Sequence, residues 1–210
     1  MRKEEYIMCG IVGYLGSGKA TSFLINGLSK LEYRGYDSAG IAVVNNGEIE
    51  VRKFKGRLSN LANNIKEHPV EGSMGIGHTR WATHGAPSDV NSHPHLNSKE
   101  TIAVVQNGII ENYLPLRNWL KGEGYTFKSE TDTEVIPNLI DYYYEGDLFK
   151  AVTNALKKLE GSYALGVVCK DEPDKLIAVR KECPAGSASS PSSASLPLRS
   201  SIWCPSSGVR

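Results

Sequence analysis

The chain has 210 residues, a hydrophobic content of 40% and a formal net charge of +1 at pH 7. This length suits one globular domain, and the balanced charge argues against a broad basic surface for nucleic acid. No apolar run approaches the ~20 residues that a membrane helix needs, and the four cysteines fall in no paired spacing. We therefore expect a protein of the reducing cytoplasm, with no nucleic acid and no membrane as partner.

The segment Met8–Gly13 carries the first chemical signal. Met1 to Met8 is short and charged, and Met8 resembles a second start site. Removal of that segment would leave Cys9 with a thiol and an α-amine on one residue. An α-amine has a pKa of roughly 7.7–8.0 and can act as a base near neutral pH. On these residues alone, a small buried cysteine at the head of an apolar strand is the simpler interpretation.

Strand-like and helix-like segments alternate along the chain. Strands are predicted over 10–15, 39–45, 48–55, 74–79, 101–106, 109–112, 163–169 and 175–180, and helices over 21–32, 57–66, 113–122, 133–144 and 147–159. The strands come mostly in adjacent pairs, which predicts antiparallel sheets with helices packed on them. Asn46-Gly47 and Asn107-Gly108 have the composition of hairpin turns, and Thr131 to Glu134 has the form of a capping box.

Gly13 to Ala20 nearly matches a phosphate-binding loop between a strand and a helix. Position 20 is alanine, so the hydroxyl that would hold magnesium is missing. We expect a turn into a helix here and no cofactor.

The segment 33–40 follows an amphipathic helix and opens a strand. Arg34 and Asp37 could pair with each other or order this loop. Taken alone, a helix-to-strand connection with an ion pair is the simpler interpretation.

Four polar or aromatic side chains crowd the loop that follows Gly77 to Thr79. Arg80 can bind a carboxylate through two donors, and Trp81 can cover a pocket. Thr83 and His84 can add polar contacts. The alternative is a strand end with an exposed arginine and a buried tryptophan.

Three imidazoles, His84, His93 and His95, raise the question of a metal site. Pro94 prevents a helix that would align the last two, and no nearby cysteine or carboxylate pattern completes a ligand set. We predict polar loop histidines and no metal.

Two further positions have two interpretations each. Asn107 and Gly108 can form a turn, or an amide side chain and a backbone N–H can together make an oxyanion hole. Asp132 can begin a helix or bind a substrate ammonium group.

The composition changes after Glu182. Cys183 to Arg210 holds ten serines and four prolines in 28 residues, with no Asp, Glu or Lys. Such a segment cannot bury enough apolar surface to offset its chain entropy. We predict a disordered or aberrant tail, either a Ser/Pro linker or, as the composition favours, the product of a shifted reading frame.

Taken together, the motifs resemble the class II glutamine amidotransferases, which are N-terminal-nucleophile hydrolases. The motifs are Cys-Gly-Ile-Val-Gly, Tyr-Arg-Gly-Tyr-Asp-Ser-Ala-Gly, His-Thr-Arg-Trp-Ala-Thr-His-Gly, His-Pro-His, Asn-Gly-Ile-Ile-Glu-Asn and Ser-Glu-Thr-Asp-Thr-Glu. Within the class, Arg-Gly-Tyr-Asp-Ser-Ala-Gly and Arg-Trp-Ala-Thr-His-Gly are similar to the glutaminase domains of the glutamine–fructose-6-phosphate aminotransferase family. The resemblance implies an α+β fold, a four-layer α/β/β/α sandwich of two antiparallel sheets.

The resemblance also implies a role for each site residue. Cys9 would be the nucleophile and its α-amine the base, with the Asn107 side chain and the Gly108 N–H as the oxyanion hole. Arg80 would bind the α-carboxylate of L-glutamine and Asp132 its α-ammonium. The remaining residues would line the pocket (Thr83, His84), gate it (Trp81) or support the loop near the nucleophile (Arg34, His93).

The implied reaction is hydrolysis of the glutamine side-chain amide to glutamate and ammonia. In the family, the ammonia passes to a C-terminal sugar-isomerase domain, for which this chain has no room. We expect an extra segment over 1–8, a glutaminase domain over 9–182 and the tail over 183–210. A glutaminase domain of another amidotransferase, or a silent glutamine-binding fragment, are the alternatives.

Overall fold

Two antiparallel sheets dominate the computed structural model, which describes residues 9–82, 84–181, 193–195 and 200–205. The strands are β1 (Gly10–Leu15), β2 (Ser38–Asn45), β3 (Glu48–Lys55), β4 (Met74–Arg80), β5 (His95–Leu96), β6 (Ile102–Gly108), β7 (Tyr163–Cys169), β8 (Leu176–Lys181), β9 (Ser193–Ser195) and β10 (Ser200–Pro205). The first sheet has the order β10-β1-β4-β2-β3, and the second has the order β5-β6-β7-β8-β9. Every pairing between these strands is antiparallel, as predicted.

Helices cover the outer face of each sheet. They are α1 (Ala20–Ser29), α2 (Leu58–Glu67), α3 (Tyr113–Gly122), α4 (Val135–Tyr142) and α5 (Leu148–Leu156), with a short 3₁₀ turn over Glu32–Arg34. Three apolar clusters fill the three interfaces that result. One packs α1 and α2 on the first sheet, one lies between the sheets, and one packs α3, α4 and α5 on the second sheet. The expected four-layer α/β/β/α sandwich is confirmed.

The hairpin between β2 and β3 turns at Asn46 and Gly47, as predicted. Both residues have positive φ values, 48° and 78°. Such turns match the twist of the flanking strands. This hairpin depends on local sequence alone, which is why the pattern identified it.

The predicted strand over 109–112 is wrong. Asn107 and Gly108 are the last residues of β6 and not a hairpin turn, and the chain after them bends away to α3. The bend is fixed at two points, because Ile109 N–H donates to the Ser162 carbonyl at 3.1 Å and Ile110 N–H donates to Asp132 Oδ2 at 2.8 Å. Gly108 has φ +109°, and a Cβ there would lie 2.1 Å from the Ser162 carbonyl oxygen. Only glycine fits this position.

The predicted capping box is replaced by a different cap. The Glu134 carboxylate accepts hydrogen bonds from the backbone N–H groups of Lys128 and Ser129, each at 2.7 Å. It therefore closes the loop before α4 instead of the first turn of that helix. The loop it closes carries Asp132.

Nine residues of the tail are described, and they lie in two strands. Ser193–Ser195 pairs with β8, and Ser200–Pro205 pairs with β1, so that each forms an outer strand of its sheet. The extra segment 1–8 and the rest of the tail from Glu182 onward lie outside the described residues. Over the described part of the chain, no helix combines the length and the apolar content needed to cross a bilayer.

Candidate active site

Three strand ends converge at one edge of the sandwich. Cys9 directly precedes β1, Arg80 is the last residue of β4, and Asn107 is the penultimate residue of β6. β1 and β4 are neighbours in the first sheet, and β6 belongs to the second. The site therefore straddles the two sheets, and its geometry depends on how they stack.

The Cys9 thiol lies against the backbone that follows Arg80. Its Sγ accepts a hydrogen bond from Trp81 N–H at 3.0 Å and lies 3.6 Å from the Trp81 carbonyl oxygen. Burial raises the pKa of the Cys9 thiol, and the Trp81 hydrogen bond only partly opposes this. A thiol of this kind needs a base before it can act as a nucleophile.

Asn107 reaches the same residue from the second sheet. Its Nδ2 donates to the Cys9 carbonyl oxygen at 3.3 Å, and its side chain is 2% exposed. Gly108 follows at the point where β6 ends. An amide NH₂ group and a strand-end backbone thus lie beside the cysteine, as an oxyanion hole requires.

Arg80 presents a donor that the described residues leave without a hydrogen bond. Its Nη2 donates to the carbonyl oxygens of His84 and Gly85, the latter at 3.2 Å. Its Nη1 is buried without a hydrogen-bond acceptor among the described residues, although Asp37 Oδ1 lies 3.9 Å away. A buried cationic donor without an acceptor is costly, and the carboxylate of a ligand would satisfy it.

Asp132 lies beside the ring of His84, whose backbone carbonyl contacts Arg80. The Asp132 Oδ1 atom is 3.9 Å from His84 Nδ1, and its second oxygen accepts from Ile110 N–H. Burial raises the pKa of the Asp132 carboxyl, whereas the Ile110 hydrogen bond and the His84 ring lower it. His84 is further placed by an edge contact with the Tyr113 ring, with centroids 5.5 Å apart. A cation and a carboxylate therefore flank the same loop residue, an arrangement that suits a zwitterionic amino acid.

The other predicted site residues divide into three groups. Trp81 is 42% exposed, and its ring lies near Gly35, whereas its backbone N–H contacts the Cys9 sulfur. His93 lies deeper, in contact with β6 and with the Asp132 loop. Thr83 and the side chain of Arg34 lie outside the described residues.

Asp37 has a role that the sequence did not reveal. Its backbone N–H donates to the Arg80 carbonyl at 2.7 Å, and its carboxylate accepts from Ala82 N–H. It thereby fixes the turn that carries Arg80 and Trp81. The sequence suggested a pair with Arg34 because the two residues are close in the chain.

His78 is the second residue that the motif analysis passed over. It is 1% exposed, and its Nε2 lies 2.7 Å from Asn107 Oδ1. The signal was present, since His78 follows Met74 and Ile76 at alternate positions of β4 and shares their buried face. A polar residue on an otherwise apolar face indicates a specific partner.

Three buried histidine rings form a column beneath Asn107. The rings of His78 and His93 stack at a centroid distance of 4.3 Å, and those of His93 and His95 meet edge to face at 4.9 Å. Burial lowers the pKa of His78 to about 4 and lowers those of His93 and His95 well below the usual value. The described residues contain no group of three His, Cys, Asp or Glu residues that could hold a metal ion.

The column makes stability depend on pH. A histidine held neutral in the fold takes up its proton more readily when unfolded, so its stabilising effect is present above pH 6.5 and is lost as pH falls toward the folded pKa. For His78, with a folded pKa of about 4, the full loss amounts to about 3 kcal/mol. Asp132 acts in the opposite sense, because its folded pKa is raised. We expect the free energy of unfolding, measured in urea, to fall by several kcal/mol between pH 7 and pH 4.5. Equal values at the two pH values would contradict the neutral column.

Comparison with known proteins identifies the family of the chain. A model of the glutamine amidotransferase domain matches residues 78–185. The glutamine–fructose-6-phosphate aminotransferase [isomerizing] of Clostridium perfringens is 70% identical over 177 residues, and that of Caldanaerobacter subterraneus subsp. tengcongensis is 62% identical over 177 residues. Each alignment covers 84% of this chain and 29% of the relative. The chain thus spans about three tenths of the length of these relatives.

Solved structures show the same fold at lower identity. The glutamine phosphoribosylpyrophosphate amidotransferase of B. subtilis superposes with a TM-score of 0.70 at 27% identity, over 82% of this chain and 37% of that chain. A structure described as the allosteric regulatory enzyme of purine biosynthesis gives a TM-score of 0.73 at 28% identity, over 84% of this chain and 38% of that chain. The chain belongs to the glutamine amidotransferase domain family and is homologous to the glutaminase part of the glutamine–fructose-6-phosphate aminotransferases.

Proposed function

We propose that this domain hydrolyses the side-chain amide of L-glutamine to glutamate and ammonia, with Cys9 as the nucleophile. One observation carries the proposal. The Cys9 sulfur contacts Trp81 N–H, the Asn107 amide donates to the Cys9 carbonyl oxygen, and Arg80, which directly precedes Trp81, has an unsatisfied Nη1 donor. Nucleophile, oxyanion donor and carboxylate receptor are the three groups that amide hydrolysis of an amino acid needs.

The substrate would bind by its two charged groups. Arg80 Nη1 would take the α-carboxylate, and Asp132, beside the His84 ring, would take the α-ammonium. Thr83 and His84 would line this pocket, and Trp81 would cover its mouth. The side-chain amide would then extend toward Cys9 and Asn107.

The chemistry would proceed through two steps. The Cys9 thiol loses its proton to its own α-amine, and the sulfur attacks the amide carbon, forming a C–S bond and an oxyanion held by Asn107 Nδ2 and Gly108 N–H. The C–N bond breaks as the protonated amine returns its proton to the departing ammonia. Water then cleaves the thioester to glutamate and regenerates the thiol. This route requires that Met1 to Met8 be removed.

The acceptor of the ammonia would be a sugar phosphate. The relatives named above carry fructose 6-phosphate in their names, and the segment matched here is a small part of their length. We propose that a sugar-isomerase domain, in a longer or associated chain, uses the ammonia. The reaction needs a reduced thiol, which favours the cytoplasm.

Ammonia release from glutamine tests the proposal directly. Protein with Cys9 as its first residue should convert glutamine to equal amounts of glutamate and ammonia, and Cys9→Ala should not. The matched control is Cys169→Ala, which changes a cysteine buried in the second sheet. This variant should keep the wild-type turnover per folded molecule. Equal release by the wild type and Cys9→Ala would remove Cys9 from the mechanism.

Substitution of Arg80 should weaken glutamine binding, which can be measured without turnover in a Cys9→Ala variant. In the Cys9→Ala background, Arg80→Lys should raise the glutamine Kd about 10- to 100-fold. A lysine has one side-chain nitrogen and cannot donate to the His84 and Gly85 carbonyl oxygens while presenting a separate nitrogen to the α-carboxylate. Arg52→Lys, on β3 beside Glu50, should not change the Kd. Isothermal titration calorimetry decides, and an unchanged Kd in Arg80→Lys would contradict the role given to Arg80.

A further inference from the structure

The column beneath Asn107 contains a group that the proposed chemistry does not use. His78 lies on β4 of the first sheet, whereas Asn107 lies on β6 of the second. The 2.7 Å contact between His78 Nε2 and Asn107 Oδ1 therefore crosses the interface between the sheets. It joins the oxyanion donor to a strand that also carries Arg80.

The two contacts of Asn107 determine which end of its amide faces the cysteine. Only the NH₂ end can donate to the Cys9 carbonyl oxygen, so the oxygen end must accept from His78. His78 then needs its proton on Nε2. A neutral ring has one N–H, and burial keeps this ring neutral, since the pKa of His78 is lowered to about 4. The remaining hydrogen of the NH₂ group is available to an oxyanion.

The reversed orientation of the amide would be harmful. It would aim the Asn107 oxygen at the position where negative charge develops, and that oxygen would repel the oxyanion. The His78 N–H opposite Oδ1 selects the productive orientation. In the reversed orientation the Asn107 NH₂ group would face this N–H, and two donors would then meet without an acceptor. His78 can thus set the function of Asn107 without touching the substrate.

The proton positions of the neighbouring ring agree with this assignment. His93 Nδ1 accepts from Gln106 N–H at 3.3 Å, so the proton of a neutral His93 is on Nε2. That Nε2 lies 3.2 Å from Thr133 Oγ1, and the Thr133 hydroxyl donates its own proton to Gln106 Oε1 at 2.5 Å. The donors of His93 and Thr133 each meet an acceptor, whereas Gln106 Nε2 and His78 Nδ1 are buried without a hydrogen-bond partner among the described residues. The His93 ring stacks on His78.

We propose that His78 is a positioning residue that fixes the Asn107 amide with its NH₂ group toward the reacting carbon. This inference rests on the proposed glutaminase function. It predicts an effect on turnover and little effect on glutamine binding, since Arg80 and Asp132 hold the opposite end of the substrate.

Three variants of protein that begins at Cys9 and continues to Arg210 test the proposal. His78→Leu, which lacks a donor, should lower kcat about tenfold or more, less than the loss of the oxyanion donor itself, and leave the glutamine Kd within about twofold. His78→Gln keeps an N–H donor and should recover part of kcat. His68→Leu, at the exposed end of α2, is the matched control and should equal the wild type. A rise in KM at unchanged kcat in His78→Leu would overturn the proposal.

A double-mutant cycle separates positioning from a general effect on the fold. In an Asn107→Ala background, His78→Leu should cause no further loss of kcat, because the group it positions is gone. The same fractional loss in both backgrounds would show that His78 acts elsewhere and would refute the inference.

Nitrogen NMR of the full chain gives a readout that does not depend on activity. Long-range ¹H–¹⁵N spectra of the wild type should show His78 as the neutral Nε2–H tautomer at pH 7, identified by its loss in His78→Gln. A neutral Nδ1–H tautomer would refute the inference even if glutamine is hydrolysed. Failure of the wild type beginning at Cys9 to release ammonia would instead refute the proposed function, whatever the tautomer.

Discussion

Protein that retains Met1 to Met8 should release ammonia from glutamine at least about 10²–10⁴-fold more slowly than protein that begins at Cys9. In the longer form the nitrogen of Cys9 is part of a peptide bond and cannot accept a proton. Burial raises the pKa of the Cys9 thiol, so little thiolate forms without a base.

The sharpest design uses one protein before and after cleavage. A protease site placed directly before Cys9 yields the two forms from the same preparation, and the uncleaved sample is the matched control. Cleavage is monitored by intact-mass spectrometry, and ammonia release should rise in proportion to the cleaved fraction. Acetylation of the new terminal amine should abolish ammonia release again. Equal rates before and after cleavage would exclude the α-amine as the base.

Asn107→Ala should lower kcat by about 10²–10³-fold and leave the glutamine Kd nearly unchanged. The Asn107 NH₂ group is the side-chain donor that the structure directs toward Cys9, and it would be fully engaged only when the oxyanion forms. A donor that acts in the transition state changes kcat far more than it changes substrate binding.

The control for this variant is an asparagine outside the site. Asn154→Ala on α5 removes the same type of side chain, whose Oδ1 accepts a hydrogen bond from Lys157 Nζ at 3.0 Å, and should keep full activity. Single-turnover kinetics separate the chemical step from product release. If Asn107→Ala instead raised the Kd and spared kcat, Asn107 would be a binding residue and the oxyanion assignment would be wrong.

Much of the fold could be predicted from sequence because the signals are local. Strand-like segments that lie mostly in adjacent pairs along the chain predicted the antiparallel sheets, and Asn46-Gly47 predicted the hairpin from two residues that accept positive φ. The site candidates Cys9, Arg80 and Asp132 were also identified locally, since each lies at a boundary of a predicted strand or helix. Their family motifs implied a role for each of them.

Other features depend on contacts between distant parts of the chain, so tertiary structure decided them. Asn107-Gly108 has the composition of a turn, but pairing with β7, more than 50 residues later, makes it a strand end. Asp37 holds the turn after Arg80 because β2 and β4 are neighbours. The contact of His78 with Asn107 exists because two sheets stack face to face. A sequence pattern predicts which face of a strand a residue occupies. Which residue of the other sheet it contacts depends on how the two sheets pack.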